Sequence, residues 1–493
     1  MSAARGWYRL GLAAFGFMLL LACSIAVWRN KSADEAALAP AHVSFASDAG
    51  AAKRSAPRSD AGREPAPTVT AAAAPKPTFP PYVARPDDRA PVPLPIAHPE
   101  RLDYYFGKLT LTDLGQPGAI TRAGQWGDSV IGGDGLTEHI RRKLQERFGD
   151  AGHGFHIMGK YNRWYHHRGL RYEEKRPWET CMVIFRCQKD TMRYGYGGVT
   201  SASRGKALSF FQTMPTDPPP GIGDKVSRFE LWYQKRPDGG GFEVRIDGNT
   251  TKVFDAVAPS ITDAVESIAV PDGEHRFEVA ALGPGVARAY GAVMERDGPG
   301  AVWDELSLIG SFTQRLDYQD AEHLAGQVRR RDVDLMVFMF GGNDLSREHG
   351  DLKSNTEPYE AEYGRVIRKF RAGKPQASCL IMSLTDHAKK VGDAIVSRDI
   401  VRRLAEAQGR VAAREGCAFF DTFTATGGMG TVERWRKAKP PLASPDLRHP
   451  TVAGQRHIAD LLYAALMKAY ASYRERREGE PLPGAEAEVQ AKR

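Results

Sequence analysis

Cysteine is scarce in this chain: five among 493 residues, with no CxxC pair and no Cys/His spacing suited to a metal. A zinc ribbon and a disulfide-dense scaffold are thereby excluded. There is no G-x-x-x-x-G-K-[ST] loop, no H-E-x-x-H helix and no G-x-S-x-G elbow, so phosphate-cradle, zincin and α/β-hydrolase chemistry lack support. Dense Lys/Arg runs interleaved with aromatics are missing too. With 68 Lys+Arg against 60 Asp+Glu the formal charge is only +8, and no nucleic-acid partner is expected. Such a modest basic excess fits a surface that faces an anionic polymer. Internal repeats are absent, as are long apolar runs beyond the N-terminal one. What remains, 42% hydrophobic and 26% charged residues, is the composition of a globular protein of about three domains.

The N-terminal run has a specific layout. Arg5 and Arg9 precede an uncharged stretch from Leu10 to Trp28, closed by Arg29 and Lys31. A basic start followed by an apolar run is the pattern of a secretion signal, here long enough to span a hydrocarbon core. Leu20-Leu21-Ala22-Cys23 reads as a lipobox with Cys23 lipidated after cleavage, whereas Ile25 and Val27 extend the run as an uncleaved anchor would; a cleaved signal is the third reading. All three export the body of the protein. The expected location is the bacterial cell envelope, on its extracytoplasmic (periplasmic) side, with the membrane as a partner through the anchor or the lipidated Cys23. Residues 1–31 form this segment, and 32–98, rich in Ala, Pro, Ser and Asp, read as a disordered linker. The stretch 475–493, with Glu480-Pro481-Leu482-Pro483-Gly484, reads as a loose tail.

Between these ends the patterning changes twice. Ile120 to Trp126 is a short strand candidate that runs into Gly127-Asp128-Ser129, followed by a helix with Leu136, Ile140, Leu144 and Phe148 on one face and Gly149 at its end. Then period-two alternation takes over: Phe229, Leu231, Tyr233; Phe242, Val244, Ile246; Phe277, Val279. Glycine turns separate these runs, and the whole predicts an antiparallel sandwich. After Asp304 the α/β pattern returns. Val333 to Phe340 is a near-continuous apolar run suited to a parallel strand covered on both faces. Helix, strand, helix, strand and a last helix with Ile458, Leu461, Leu462 and Leu466 follow. The expected fold class is α/β: a doubly wound parallel sheet, flavodoxin-like, interrupted by an antiparallel β-sandwich of jelly-roll type. The α/β parts are 99–169 and 304–474, and the insertion is 170–303.

In open parallel sheets reactive groups collect in loops beyond the carboxyl ends of the strands. Ser129 lies at such a place, as does Asn343 in Gly341-Gly342-Asn343-Asp344; Asp446 and His449 share the loop before the last helix. A serine hydroxyl becomes nucleophilic when a base takes its proton, and His449 is suited to that. Asp446, three residues away, would fix the tautomer and stabilise the imidazolium. Negative charge developing on a substrate oxygen needs preset donors, for which the Ser129 amide, a loop glycine amide and the Asn343 side chain are candidates. Each piece alone reads equally as a turn or a surface residue; their order and their positions at strand ends favour chemistry.

Gly127-Asp128-Ser129, Gly341-Gly342-Asn343-Asp344 and Asp446-Leu447-Arg448-His449 resemble three of the four blocks of the SGNH (GDSL) hydrolase family, and Gly310 is the best match to the fourth. The resemblance implies Ser129 as nucleophile, His449 as base, Asp446 as its partner, and an oxyanion hole of the Ser129 and Gly310 amides with the Asn343 side chain. Asp128 would shape the loop rather than react. A sandwich between the first and second blocks resembles the subgroup of bacterial peptidoglycan O-acetylesterases, whose insertion is carbohydrate-module-like. Leu144-Gln145-Glu146-Arg147-Phe148-Gly149-Asp150-Ala151-Gly152-His153-Gly154-Phe155, and Gly427-Gly428-Met429-Gly430 with Trp435, resemble that subgroup too. The implied activity is removal of O-acetyl groups from an envelope polysaccharide, peptidoglycan first, with no metal or cofactor. An O-acetyltransferase using the same residues and a non-catalytic glycan-binding protein are the alternatives.

The remaining residues carry smaller expectations. Tyr161, Trp164, Tyr165, Trp178, Tyr194 and Tyr196 either fill the sandwich core or offer faces to sugar rings, with Arg163 and Arg168 placed to meet carboxylates. His166-His167 reads as a surface loop, and Arg329-Arg330-Arg331 as a solvated helix end. Cys181 and Cys187 are close enough to bridge, while Cys379 and Cys417 read as buried thiols.

Overall fold

The computed structural model describes residues 77–189, 191–214, 221–346, 352 and 354–483. They belong to one compact unit that runs from Ala73 to the end of the chain. The N-terminal apolar run from Leu10 to Trp28 lies outside the described residues. Among the described residues no helix is long and apolar enough to cross a membrane.

A five-stranded parallel sheet forms one layer system, in the order Gly300–Ser307, Ile120–Gly127, Leu335–Met339, Ser378–Met382, Ala418–Phe420. The chain leaves the Ile120–Gly127 strand on one side, returns beside it at Gly300, and then crosses to Leu335 on the other. That reversal of direction is the place where doubly wound sheets open a crevice. The apolar run predicted to be covered on both faces is Leu335–Met339, buried at every residue. Helices Gly135–Phe148 and Val452–Arg476 cover one face through Leu136, Ile140, Leu144, Ile458, Leu462 and Leu466. Helices Glu357–Arg371 and Ile400–Glu415 cover the other.

The inserted sandwich has a six-stranded and a five-stranded antiparallel sheet. Phe229, Leu231 and Tyr233 meet Phe242, Val244, Phe277 and Val279 between the two. Trp232, on the opposite side of the same strand, joins Phe155, Tyr196 and Tyr290 in a second core with Trp126, Phe338 and Phe370 of the α/β part. Period two thus serves two cores at once, since successive side chains leave a strand on opposite faces. Pairing starts the insertion earlier than 170 and ends it before 303. Gly152–Ile157 already pairs antiparallel with Ala287–Glu295, and parallel pairing resumes at Gly300.

Several expectations are corrected. Residues 77–98 are not linker: Phe79 is buried against Tyr473, and its amide donates to Glu480 O at 2.8 Å. Ile96 is buried, and Ala97 bridges to Phe419. The first part of the tail is held by the same contacts, for Leu482 is buried and donates to Pro77 O at 2.9 Å. Proline-rich composition argues for disorder only where no apolar partner is available, and the Val452–Arg476 helix supplies one. Cys379 and Cys417 are a disulfide, not two thiols: Cys379 lies on the Ser378–Met382 strand and Cys417 immediately precedes its parallel neighbour Ala418–Phe420, with Cα atoms 4.6 Å apart. Cys181 and Cys187 are also bridged. Arg331 is 4% exposed rather than solvated, its guanidinium held by Asp304 and Glu295. His166 is exposed, but His167 is buried with His153 and His156.

Candidate active site

Ser129 follows the Ile120–Gly127 strand at its carboxyl end. Gly127 lets this loop fold tightly, because a Cβ there would meet Ile131 at 2.8 Å and Met339 O at 2.9 Å. Asp128 then braces the turn: its buried carboxylate accepts from the Val130 amide at 2.9 Å and from the Gly342 amide at 3.2 Å. The bond to Gly342 ties the loops after two adjacent strands together. Burial pushes the Asp128 carboxyl up to about 6, against the pull of these amides.

His449 arrives from the other end of the sequence. Its loop ends where the helix Val452–Arg476 begins, with Thr451 Oγ1 accepting from the Gly454 amide. Leu447 takes a positive φ, and Asp446 Oδ1 accepts from the Arg448 and His449 amides at 3.0 and 3.1 Å. The loop so formed turns the imidazole toward Asp446, whose Oδ2 accepts from His449 Nδ1 at 2.6 Å. With its proton on Nδ1, the ring presents Nε2 as an acceptor, and Ser129 Oγ donates to it at 2.7 Å. Burial acts to raise the Asp446 carboxyl, yet the bonds from the ring and the two amides hold it below its ordinary value. It is therefore ionised wherever the imidazole needs a counter-charge.

Of the three groups expected as oxyanion donors, Ser129 and Asn343 line the pocket. The Ser129 and Gly310 amides donate to no backbone carbonyl among the described residues. Gly310 sits at a positive φ in the loop after Gly300–Ser307. The next residue, Ser311, accepts from Asn343 Nδ2 at 3.0 Å, which leaves the second N–H of that amide uncommitted. Asn343, Ser129 and His449 line one pocket; Gly310 is not among its lining residues and precedes Ser311, the acceptor of the Asn343 bond.

Three further pocket residues were not singled out from the sequence as candidates for the site: Arg398, His387 and Arg448, the last within a quoted motif. His387 follows the Ser378–Met382 strand at its carboxyl end, so the strand-end rule alone points to it. Arg398 has no such signal, since it reaches the pocket from the far side of a small hairpin, Ala388–Val391 with Ala394–Ser397. The aromatic cluster resolves in favour of core filling: Tyr165, Trp178, Tyr194 and Tyr196 are buried and Tyr161 is half-buried, donating to Ser307 O at 2.6 Å. Trp164, 60% exposed under the Arg163 guanidinium, is the exception. No group of three or more His, Cys, Asp or Glu among the described residues could hold a metal.

The sequence matches the model of the GDSL-like lipase/acylhydrolase family over residues 260–457. That span contains Gly310, Asn343, Asp446 and His449 but not Ser129, which the insertion separates from them. No curated protein matches the sequence. Among solved structures, a peptidoglycan O-acetylesterase superposes with a TM-score of 0.59 at 19% identity, over 75% of this chain and 96% of that one. A family two carbohydrate esterase from Clostridium thermocellum, in complex with cellohexaose, gives 0.24 at 11% identity, over 55% of this chain and 93% of its own. The chain is thus similar to the GDSL-like lipase/acylhydrolase family over residues 260–457, and it shares the fold of the peptidoglycan O-acetylesterase.

Proposed function

We propose that this protein is an exported serine esterase that removes O-acetyl groups from a cell-envelope polysaccharide, with peptidoglycan the first substrate to test. The observation that carries the reading is the unbroken relay from Ser129 Oγ to His449 Nε2 at 2.7 Å and from His449 Nδ1 to Asp446 at 2.6 Å. In this mechanism Ser129 Oγ attacks the acetyl carbonyl while His449 takes its proton. The oxyanion of the tetrahedral intermediate is met by the Ser129 and Gly310 amides and the free N–H of Asn343. Collapse breaks the ester bond, the sugar oxygen leaves with the proton from His449, and acetyl-Ser129 remains. A water that gives its proton to His449 then attacks the acetyl carbon, and acetate departs as Ser129 recovers its proton.

Export is part of the proposal. It rests on the N-terminal signal-like pattern and on the two disulfides, which form and persist in oxidising compartments. Ser129→Ala, assayed on a chromogenic acetate ester and on O-acetylated sacculi, should lower kcat by about 10⁶-fold, with the melting temperature nearly unchanged. Undiminished acetate release by that variant would remove Ser129 from the reaction. Adding an oligosaccharide acceptor to the wild-type assay separates hydrolysis from acetyl transfer.

A further inference from the structure

Five arginines of the fold are matched with carboxylates. Arg122, Arg141, Arg147, Arg331 and Arg474 each meet an Asp or Glu within 3.0 Å. The pocket beside Ser129 departs from this pattern. Arg398 lines it with a guanidinium whose one hydrogen bond among the described residues goes to Leu345 O at 2.9 Å. Arg448 lines it from the His449 loop, exposed, with no hydrogen bond or ion pair from its guanidinium among the described residues. Between them lies His387, only 8% exposed, packed so closely on Gly342 that a Cβ there would touch its ring at 3.1 Å. Its Nδ1 has no hydrogen-bond partner among the described residues.

These groups are fixed relative to one another. The Ala388 amide donates to Leu447 O at 2.9 Å and the Arg398 amide to His387 O at 2.8 Å, so both arginine-bearing loops are sewn to the His387 segment. Arg398 also lines an adjoining groove with Lys389 and Arg403, in which Asp399 is the one acid among the lining residues. Burial and the neighbouring Arg448 charge both push the Arg398 guanidinium down, with no carboxylate acting in the other direction. Burial, then the charges of His449, Arg398 and Arg448, push His387 down to about 3, so it stays neutral beside them. Asp128, the one acid lining the pocket, is held by the Val130 and Gly342 amides and makes no ion pair with either arginine among the described residues, so two like charges in one pocket favour an anionic ligand. Guanidinium forks match carboxylate oxygens two by two.

We propose that Arg398 and Arg448 form a carboxylate-binding subsite next to Ser129, which directs the protein to acetyl esters carried on an acidic glycan. The inference rests on the esterase reading for what the ligand carries, and adds the class of glycan. The carboxylate belongs either to the acetylated sugar itself or to an amino acid attached to it. Both sources present the same group to the same fork.

Binding to the full-length Ser129→Ala protein separates this subsite from the chemistry. Three probes are titrated calorimetrically: an O-acetylated sugar bearing an ether-linked carboxylate, its methyl ester, and the same sugar amide-linked to one amino acid with a free carboxylate. Charged hydrogen bonds at such a site give about tenfold in affinity or more, so at least one free acid should bind about tenfold tighter than the ester, and which acid does so identifies the source. The preference should shrink with added salt, vanish in Arg398→Gln and persist in part in Arg398→Lys. Arg448→Gln, altered at an exposed position, gives the same reading if Arg398→Gln does not fold. Equal binding of the ester and both acids, or a preference untouched by either glutamine variant, overturns the subsite. Failure of the esterase reading is seen elsewhere, as absent acetate release by the wild-type protein, and leaves the charge preference to be read on its own.

Discussion

Along the seam between the sandwich and the parallel sheet, charge is buried and fully matched. Arg331 donates to both oxygens of Asp304 at 2.8 Å and to Glu295 at 2.6 Å, while Arg122 grips Glu295 at 2.8 and 2.9 Å. Glu295 belongs to the sandwich and Asp304 to the parallel sheet. At the carboxyl edge of that sheet the arrangement is the reverse: Arg398 and Arg448 have no carboxylate partner among the described residues, and His387 keeps an unpartnered nitrogen. The difference separates two uses of polar groups. Buried networks in which every member is satisfied fix how two sheets meet, whereas incomplete ones mark where a ligand completes the set.

Four experiments sharpen or break this contrast. The largest effect is expected at the edge, from Asp446→Asn. An amide there favours the wrong His449 tautomer, and kcat on an acetate ester should fall about 10⁴-fold with little change in stability. A fall of less than tenfold would mean that the half-exposed Asp446 does not orient the ring. At the seam, Arg331→Leu leaves Asp304 buried without a counter-charge and takes one of the arginines from Glu295, at a cost of about 3–5 kcal/mol. Calorimetry should record this as a shift of a single transition, because the two carboxylates lie on either side of the seam. Two separate transitions would show sandwich and sheet to be independent. Asn343→Ala returns to the edge and removes one oxyanion donor, which should lower kcat by about 10²–10³-fold while leaving the seam intact.

The smallest effect concerns Asp128, a buried carboxyl at the edge held by the Val130 and Gly342 amides. Its folded pKa of about 6 lies above the ordinary 3.8, so the folded state holds the proton more tightly. The stability it contributes is full below pH about 4 and is lost as pH rises through about 6. Asp128→Asn stays neutral throughout, and its melting temperature should fall less between pH 4 and 7 than that of the wild type. Parallel curves for the two proteins would assign the pH dependence to other groups.

Much of this architecture is legible in the chain. The spacing of Leu136, Ile140, Leu144 and Phe148 marks one helix face, and all four are buried. The alternation of Phe229, Leu231 and Tyr233 marks a strand face directed at the second sandwich sheet. The three motif blocks mark Ser129, Asn343 and His449, which line one pocket. Arg398 is different, because nothing within a few residues distinguishes it from the other surface-pattern arginines; its place beside Ser129 is set by how a hairpin packs on the His449 loop. Arg331 misleads for the same reason, as a run of three arginines at a helix end reads as solvated until the seam closes over the last of them.

Periodicity, turn residues and loop motifs act over one or two turns of chain, so the sequence alone determined the elements, their order and the residue types at the sheet edge. Which groups lose water depends on segments hundreds of positions apart. Only the tertiary structure, therefore, decided that residues 77–98 pack on the last helix, that Cys379 meets Cys417, and that two arginines line the serine's pocket without a carboxylate partner among the described residues. Local pattern is written by backbone geometry, which each short segment carries by itself; desolvation and pairing of charge belong to the assembled fold.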